Sequence, residues 1–360
     1  MQIAFFCVSA VAGGVMFDRW RRMEEEDRGR VWRLYGWFTA LMACGSCVGA
    51  VAWAARMMDL VISYESLAFN LRYDEYMLQM ALAYRWRSAF LVTYAIEFLC
   101  MCAAKLMVLD RMSVFAAPQG AQSQQRWAAA GQVVMAAVVL GNAAGLAANA
   151  AAAMNNKKAE EAAITSSVYF AANRTVDDVN FKRFFSLSRH EQQLSDSISS
   201  VQSCFEVAVL LLVVVAFVVV GVLSARRVTA RLLGVDAASA AAATGRALRL
   251  QMVATTAFVF VTFVVRSGFS IMYAAAQSLQ DFEKLCPRDN RCYSSCYNVY
   301  THIAGWMFYT PEFQTMFVLV SSPLALLVAL WGMTPKSTLQ LMKSSQTETL
   351  VKLTPVRPNE

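Results

Sequence analysis

Charge is scarce in this chain. Only 16% of its 360 residues are Asp, Glu, Lys or Arg, while 58% are hydrophobic; soluble domains carry about a quarter charged residues. Histidine is scarcer still, with His190 and His302 alone, which leaves little for metal ligation or acid–base catalysis. No Walker loop, His-Glu-x-x-His, Gly-x-Ser-x-Gly or Cys-x-x-Cys-His run is present, so the common signatures of nucleotide, zinc, serine-hydrolase and haem chemistry are missing. The expectation is a protein that is not an enzyme and holds no cofactor or metal. Nor do its two halves match, so the inverted repeat of many transporters is not visible. The net charge of +7 does not point to nucleic acid, because the arginines gather in short loops between apolar runs, where topology determinants sit.

The apolar residues are concentrated in runs at 3–17, 34–58, 89–109, 127–151, 204–223, 252–276 and 311–331. A span needs roughly 20 mostly apolar residues to cross ~30 Å of hydrocarbon. Six runs reach that length, and the first would make a helix of about 22 Å. The predicted fold class is therefore all-α, a polytopic membrane helix bundle of seven transmembrane helices. The bundle would occupy 1–332, with outer loops 152–203 and 277–310 and a flexible Ser/Thr-rich cytosolic tail at 333–360.

Orientation follows from the arginines. The segment 18–33 holds six of them, and 224–251 holds Arg226, Arg227, Arg231, Arg246 and Arg249 against the single acid Asp236. Short loops rich in Lys and Arg stay in the cytosol, which puts the N-terminus outside and the C-terminus inside, in the plasma membrane or an endomembrane. The sequon Asn173-Arg174-Thr175 then falls on the outer side, where a glycan can be attached at Asn173. Residues 175–203 mix charged and apolar residues in a loosely helical pattern and read as an amphipathic segment packed on the bundle mouth.

Cysteine placement separates two groups. Cys7, Cys44, Cys47, Cys100 and Cys102 lie in apolar runs, where a thiol behaves as a small hydrophobe. Cys204, Cys286, Cys292 and Cys296 share the outer face and are candidates for two disulfides; a zinc site is disfavoured, because His302 is the only nearby histidine. Charge inside hydrocarbon is costly and marks candidate functional positions. Glu97 and Arg266 are placed at similar depths and are expected to pair or to hold a polar ligand, with a structural ion pair as the alternative. Lys105 is expected to snorkel toward the cytosolic end.

Two Gly-x-x-x-Gly motifs, Gly45/Gly49 and Gly141/Gly145, allow close helix approach, within the monomer or along a homodimer seam. The alanine-rich 127–151 run reads as an interior helix and the branched aliphatic 207–222 stretch as lipid-facing. Pro323 should kink the last span. Arg226, Arg227 and Arg231 are candidate contacts for anionic lipid or an acidic cytosolic partner. Asp110-Arg111 closes the third span at the inner face, where a solvated helix end is the simpler reading.

Seven spans with an outer N-terminus and Asp110-Arg111 resemble the G-protein-coupled-receptor architecture. The chain lacks Asn-Pro-x-x-Tyr and Cys-Trp-x-Pro, and the extracellular cysteine expected before Cys204 is absent. The run Phe260-Val261-Thr262-Phe263-Val264-Val265-Arg266, with Ser321-Ser322-Pro323-Leu324, is nearer to the seven-helix family of plant tobamovirus-multiplication proteins and their animal receptor-like relatives. That family's last span would carry an acid, which is missing here. The resemblance covers about the final third and implies membrane scaffolding and signalling. The expected function is an integral membrane receptor-like or scaffold protein that engages cytosolic signalling or trafficking proteins at its inner loops and tail. The alternative is a channel or transporter with a polar intramembrane path.

Overall fold

The computed structural model describes residues 25–68, 71–118, 120–173, 175–232 and most of 253–272, with single residues 250 and 302. The first and last expected spans, Pro323, Arg266, Cys286, Cys292, Cys296, the 277–310 loop apart from His302, and the tail lie outside the described residues. Among the described residues the chain is helical, without strands. Four long helices follow one another: α1 (Glu25–Ala68), α2 (Tyr73–Ala116), α3 (Ala121–Asn173) and α4 (Val179–Leu232). All four are long and apolar enough to cross a membrane, and a shorter apolar helix, α5 (Thr256–Met272), follows. The protein is thus a helical membrane protein by length and composition.

Local chemistry sets the boundaries. Asp74 and Glu75 lie in the first turn of α2, where carboxylates complement the positive end of the helix dipole. Gly120, before α3, has φ of +133°, a region open to glycine and costly for other residues. Asp178 caps α4, its carboxylate accepting the Phe181 backbone N–H at 2.9 Å, which satisfies an otherwise orphaned donor.

The connections are short, so consecutive helices pack as antiparallel neighbours. Between α1 and α2, Cys44 meets Cys100, Asp59 meets Arg87 and Ser66 meets Met80; each step up one helix is a step down the other. Between α3 and α4 the Ser195 and Ser188 hydroxyls donate to the carbonyls of Ala152 and Ala159. α2 is the central strut, packed on α1, α3 and α4.

Buried positions recur every seven residues in each helix. In α2 they are Met77, Tyr84, Leu91, Phe98, Lys105 and Met112; in α1, Phe38, Ala52, Asp59 and Ser66. In α3 Asn142, Asn149, Asn156 and Ala163 are buried, and in α4 Phe181, Ser188, Ser195, Gln202 and Val209. A seven-residue repeat is 3.5 residues per turn, the period of left-handed supercoiled helices. In α1 and α2 the seam runs through the apolar spans and on into the polar sequence beyond them; in α3 and α4 it holds through the polar sequence and gives way inside the spans, where Met135 is exposed and Ala216 only half-buried.

That continuity changes the picture of the 152–203 segment. It is not a loop with an amphipathic stretch lying over the bundle mouth, because 152–173 continues α3 and 179–203 opens α4. At ~1.5 Å per residue the 54 residues of α4 extend about 81 Å, against ~30 Å of hydrocarbon. The first half of α2 and the end of α1 accompany them, so a four-helix extension stands on the membrane bundle. Its distal end is closed by rings: Tyr73, Phe170 and Phe181 meet at centroid distances of 5.4–6.1 Å, and Tyr169 stacks on Phe184.

Two placements inside the bundle reverse the sequence expectation. In the most apolar stretch of α3 only 17% of residues are buried, against 44% in α4. The alanine-rich span is peripheral, with Val133 and Leu140 facing outward, whereas Val209, Leu210, Val213 and Phe217 of α4 build the core with Phe98, Met101 and Met112 of α2. In lipid the outward face is apolar too, so hydrophobicity does not report which face packs inward.

Candidate functional site: charged layers at the membrane boundary and within the span

The first charged layer sits where the spans pass into the extension. Asp59 of α1 is fully buried. Arg56, one turn before it, donates to Asp59 Oδ2. Arg87 of α2 reaches the same carboxylate through Nε at 3.3 Å and Nη2 at 3.4 Å, and its Nη1 lies 3.9 Å from Asp196 of α4. One carboxylate is therefore held between two guanidiniums, and the group ties three helices together. The Arg56 guanidinium also lies 5.7 Å from the centre of the Phe90 ring, a cation–π distance. Outside this layer Arg85 pairs with Glu160 at 2.6 Å, joining α2 to α3.

The second layer lies deeper. Glu206 of α4 is buried, and the Tyr94 hydroxyl of α2 donates to its two oxygens, both at 2.9 Å. Gln202 adds its amide at 3.2 Å and Ser270 of α5 its hydroxyl at 3.5 Å. Hydrogen bonds to a buried carboxylate offset part of its desolvation cost. One turn further along α2, Glu97 is buried against Gly49 of α1: a Cβ on Gly49 would stand 2.7 Å from the Glu97 carboxyl carbon. Gly49 is thus the space into which Glu97 fits. Gly45 does the same for Cys100, at 3.3 Å, and Gly141 for Val209 of α4. Both glycine motifs face neighbouring helices of the same chain; Gly145 has more room, with Gln202 at 3.8 Å.

Lys105 does not snorkel. It is fully buried, with its ammonium 4.6 Å from the centre of the Phe263 ring of α5. A ring face close to a desolvated cation supplies the attraction that an exposed head would take from water.

The remaining sequence candidates are dispersed. Asp110 is exposed, and α2 continues past it to Ala116, so Asp110-Arg111 lies within the helix rather than at its end. Arg226 is exposed near the far end of α4. Asn173 is exposed at the α3–α4 turn, its amide donating to Asp178 at 2.8 Å. Cys204 is an exposed free thiol, and its three candidate partners lie outside the described residues, as does Arg266, the expected partner of Glu97. Among the described residues no group of three His, Cys, Asp or Glu side chains could hold a metal.

The boundary layer is invisible to apolarity alone, because the run 34–58 stops one residue before Asp59 and that measure assigns Asp59 to a loop. The signal was present: Asp59 lies seven residues after Ala52 and twenty-one after Phe38, on the same seam. Glu206 escaped for a similar reason, as a residue at the supposed mouth of a span. No known family model matches this chain, and no curated protein or solved structure is significantly similar to it.

Proposed function

We propose that this chain is a receptor-like integral membrane protein of seven spans, with its N-terminus outside and its C-terminus in the cytosol. It would couple an event at the outer helical extension to signalling or trafficking proteins at the arginine-rich inner segments and tail. One observation carries this reading: α1 and α2 keep one seven-residue seam from the extension into the spans, and α3 and α4 continue beside them as unbroken helices. A packed core of this kind transmits a shift between discrete arrangements instead of absorbing it. The Arg56–Asp59–Arg87–Asp196 layer, at the boundary, is the element whose pairing such a shift would change. A glycan on Asn173 and disulfides among Cys204, Cys286, Cys292 and Cys296 belong to the same outer-face assignment.

Proximity labelling from a tag on the C-terminal tail tests the proposal in the native cell. Enrichment of cytosolic signalling or trafficking proteins, altered by Arg87→Gln, is the expected outcome. Enrichment of lumenal proteins contradicts the orientation, and labelling of bulk membrane neighbours alone contradicts the coupling.

A second reading is favoured by the buried Glu97, Lys105 and Glu206, which could line a polar path in a channel or transporter. Ion or solute flux in proteoliposomes that is lost in Glu206→Gln would support it; flux absent from the wild type would remove it.

A further inference from the structure

At the end of α4 remote from the extension, a groove of about 380 Å³ opens between α4 and α5. Gly221 sets the helices close, since a Cβ there would run into Thr256. Beside that contact Val218, Val222, Val253, Ala257 and Phe260 form apolar walls, and Arg226 and Thr229 stand at one end. Val222, Val253 and Phe260 are each more than two-fifths exposed, so the groove faces outward. From Val218 to Thr229 the helix rises roughly 16 Å, about the depth of one leaflet of a ~30 Å hydrocarbon core. Its volume falls in the range of about 300–1,000 Å³ typical of small-ligand sites.

Charge identifies the occupant. Between Glu206 and Asp281 the sequence has one acid, Asp236, against six arginines. Arg226 is exposed at the mouth of an apolar slot with no acidic residue within nine positions of it in the sequence. A ligand satisfying both parts needs an acyl chain and an anionic head on one molecule. We infer that the α4–α5 groove is a binding site for one anionic phospholipid of the inner leaflet, its acyl chain along Val218–Ala225 and its phosphate-bearing head on Arg226. This rests on the membrane reading of α4 and deepens it by naming the chemistry that the basic inner segment recognises.

The test is native mass spectrometry of the full chain, purified in mild detergent after reconstitution in phosphatidylcholine vesicles with or without phosphatidylserine. The wild type is expected to retain one phosphatidylserine in preference to phosphatidylcholine. Arg226→Gln should reduce that preference about five-fold, the effect of removing one cation near a charged surface. Ala225→Phe, which fills the slot, should abolish retention of both lipids, while Arg183→Gln in the extension should change nothing. Retention indifferent to headgroup and to both groove variants would mean annular lipid only and overturn the inference. Retention of inorganic phosphate without lipid would overturn it too, by removing the role of the slot. A chain extracted from vesicles by carbonate would defeat the membrane reading itself, and the two failures are therefore distinguishable.

Discussion

The membrane half of the bundle and the extension half hold their helices together with different kinds of contact. Within the spans the shared core is bulky: Phe38, Met42, Phe98, Met112, Val213 and Phe217. In the extension the contact between α3 and α4 is small and polar, made by Ala152, Ala159, Ala163, Ser188 and Ser195, with Met77 and Tyr84 of α2 packed against Ala159 and Ala163. The difference lies in what holds the helices together. Bulky side chains interlock through dispersion contacts, which remain available in lipid where the hydrophobic drive between helices is absent. Small ones let backbones approach until a serine hydroxyl reaches a carbonyl on the next helix. Ser195 to Ala152 at 2.9 Å, Ser188 to Ala159 at 3.0 Å and Ser88 to Ala153 at 3.1 Å are three such bridges.

The boundary between the halves is the place to break the comparison most severely. Asp59→Ala leaves Arg56 and Arg87 without their shared carboxylate and should cost about 3–5 kcal/mol, the usual penalty for orphaning a buried charge. Thermal unfolding in detergent reads it, and a midpoint unchanged from the wild type would remove this layer from the stability account. Opposite substitutions then separate the two halves. Phe217→Ala in the bulky half should cost about 3 kcal/mol through the cavity it leaves. Ala159→Leu in the small half should cost roughly 1–3 kcal/mol by pushing α3 from α4. If Ala159→Leu stabilises instead, the extension is not closely packed.

Smaller effects sharpen the contrast. Ser195→Ala removes one hydroxyl bridge and should lower stability by about 0.5–1.5 kcal/mol, whereas Ser197→Ala, an exposed position whose hydroxyl bonds only within its own helix, should have little effect. The smallest change is expected at the extension tip. There the exposed Asp177 carboxyl is held below its ordinary range by its hydrogen bond and charge interaction with Lys182. A carboxylate lowered in the folded state stabilises above its unfolded pKa of about 3.9 and loses that contribution as pH falls through its folded value. Because both groups are exposed and screened, Asp177→Asn should leave the acid limb of a pH–stability curve nearly where it was. A large displacement would show a tip more buried than its exposure indicates.

Much of the fold was legible. The expected runs 34–58, 89–109, 127–151 and 204–223 each fall inside one of the four long helices. Their apolar length alone required helices, because lipid leaves backbone groups no other partner. What the runs did not reveal was where the helices stop. Asn156, Ser188 and Ser195 look like loop residues to any measure of apolarity, yet they are buried at seam positions. Only the seven-residue spacing carries that information, and it must be followed across the span boundary. The site was less legible still. Glu97 stood out because it interrupts an apolar run, but Glu206 and Asp59 lie near run ends, where charge looks ordinary. The burial of Lys105 depends on Phe263, a residue more than 150 positions away, which no local pattern supplies.

The continuity of the seam from span to extension is tested most directly by cross-linking engineered cysteine pairs in a cysteine-free background. Ala159→Cys with Ser188→Cys is expected to form a disulfide readily in membranes. Ala159→Cys with Ser195→Cys, one repeat and about 10 Å out of register, should not. Equal cross-linking of both pairs, or of the second alone, would contradict the antiparallel seam and return 152–203 to a loop.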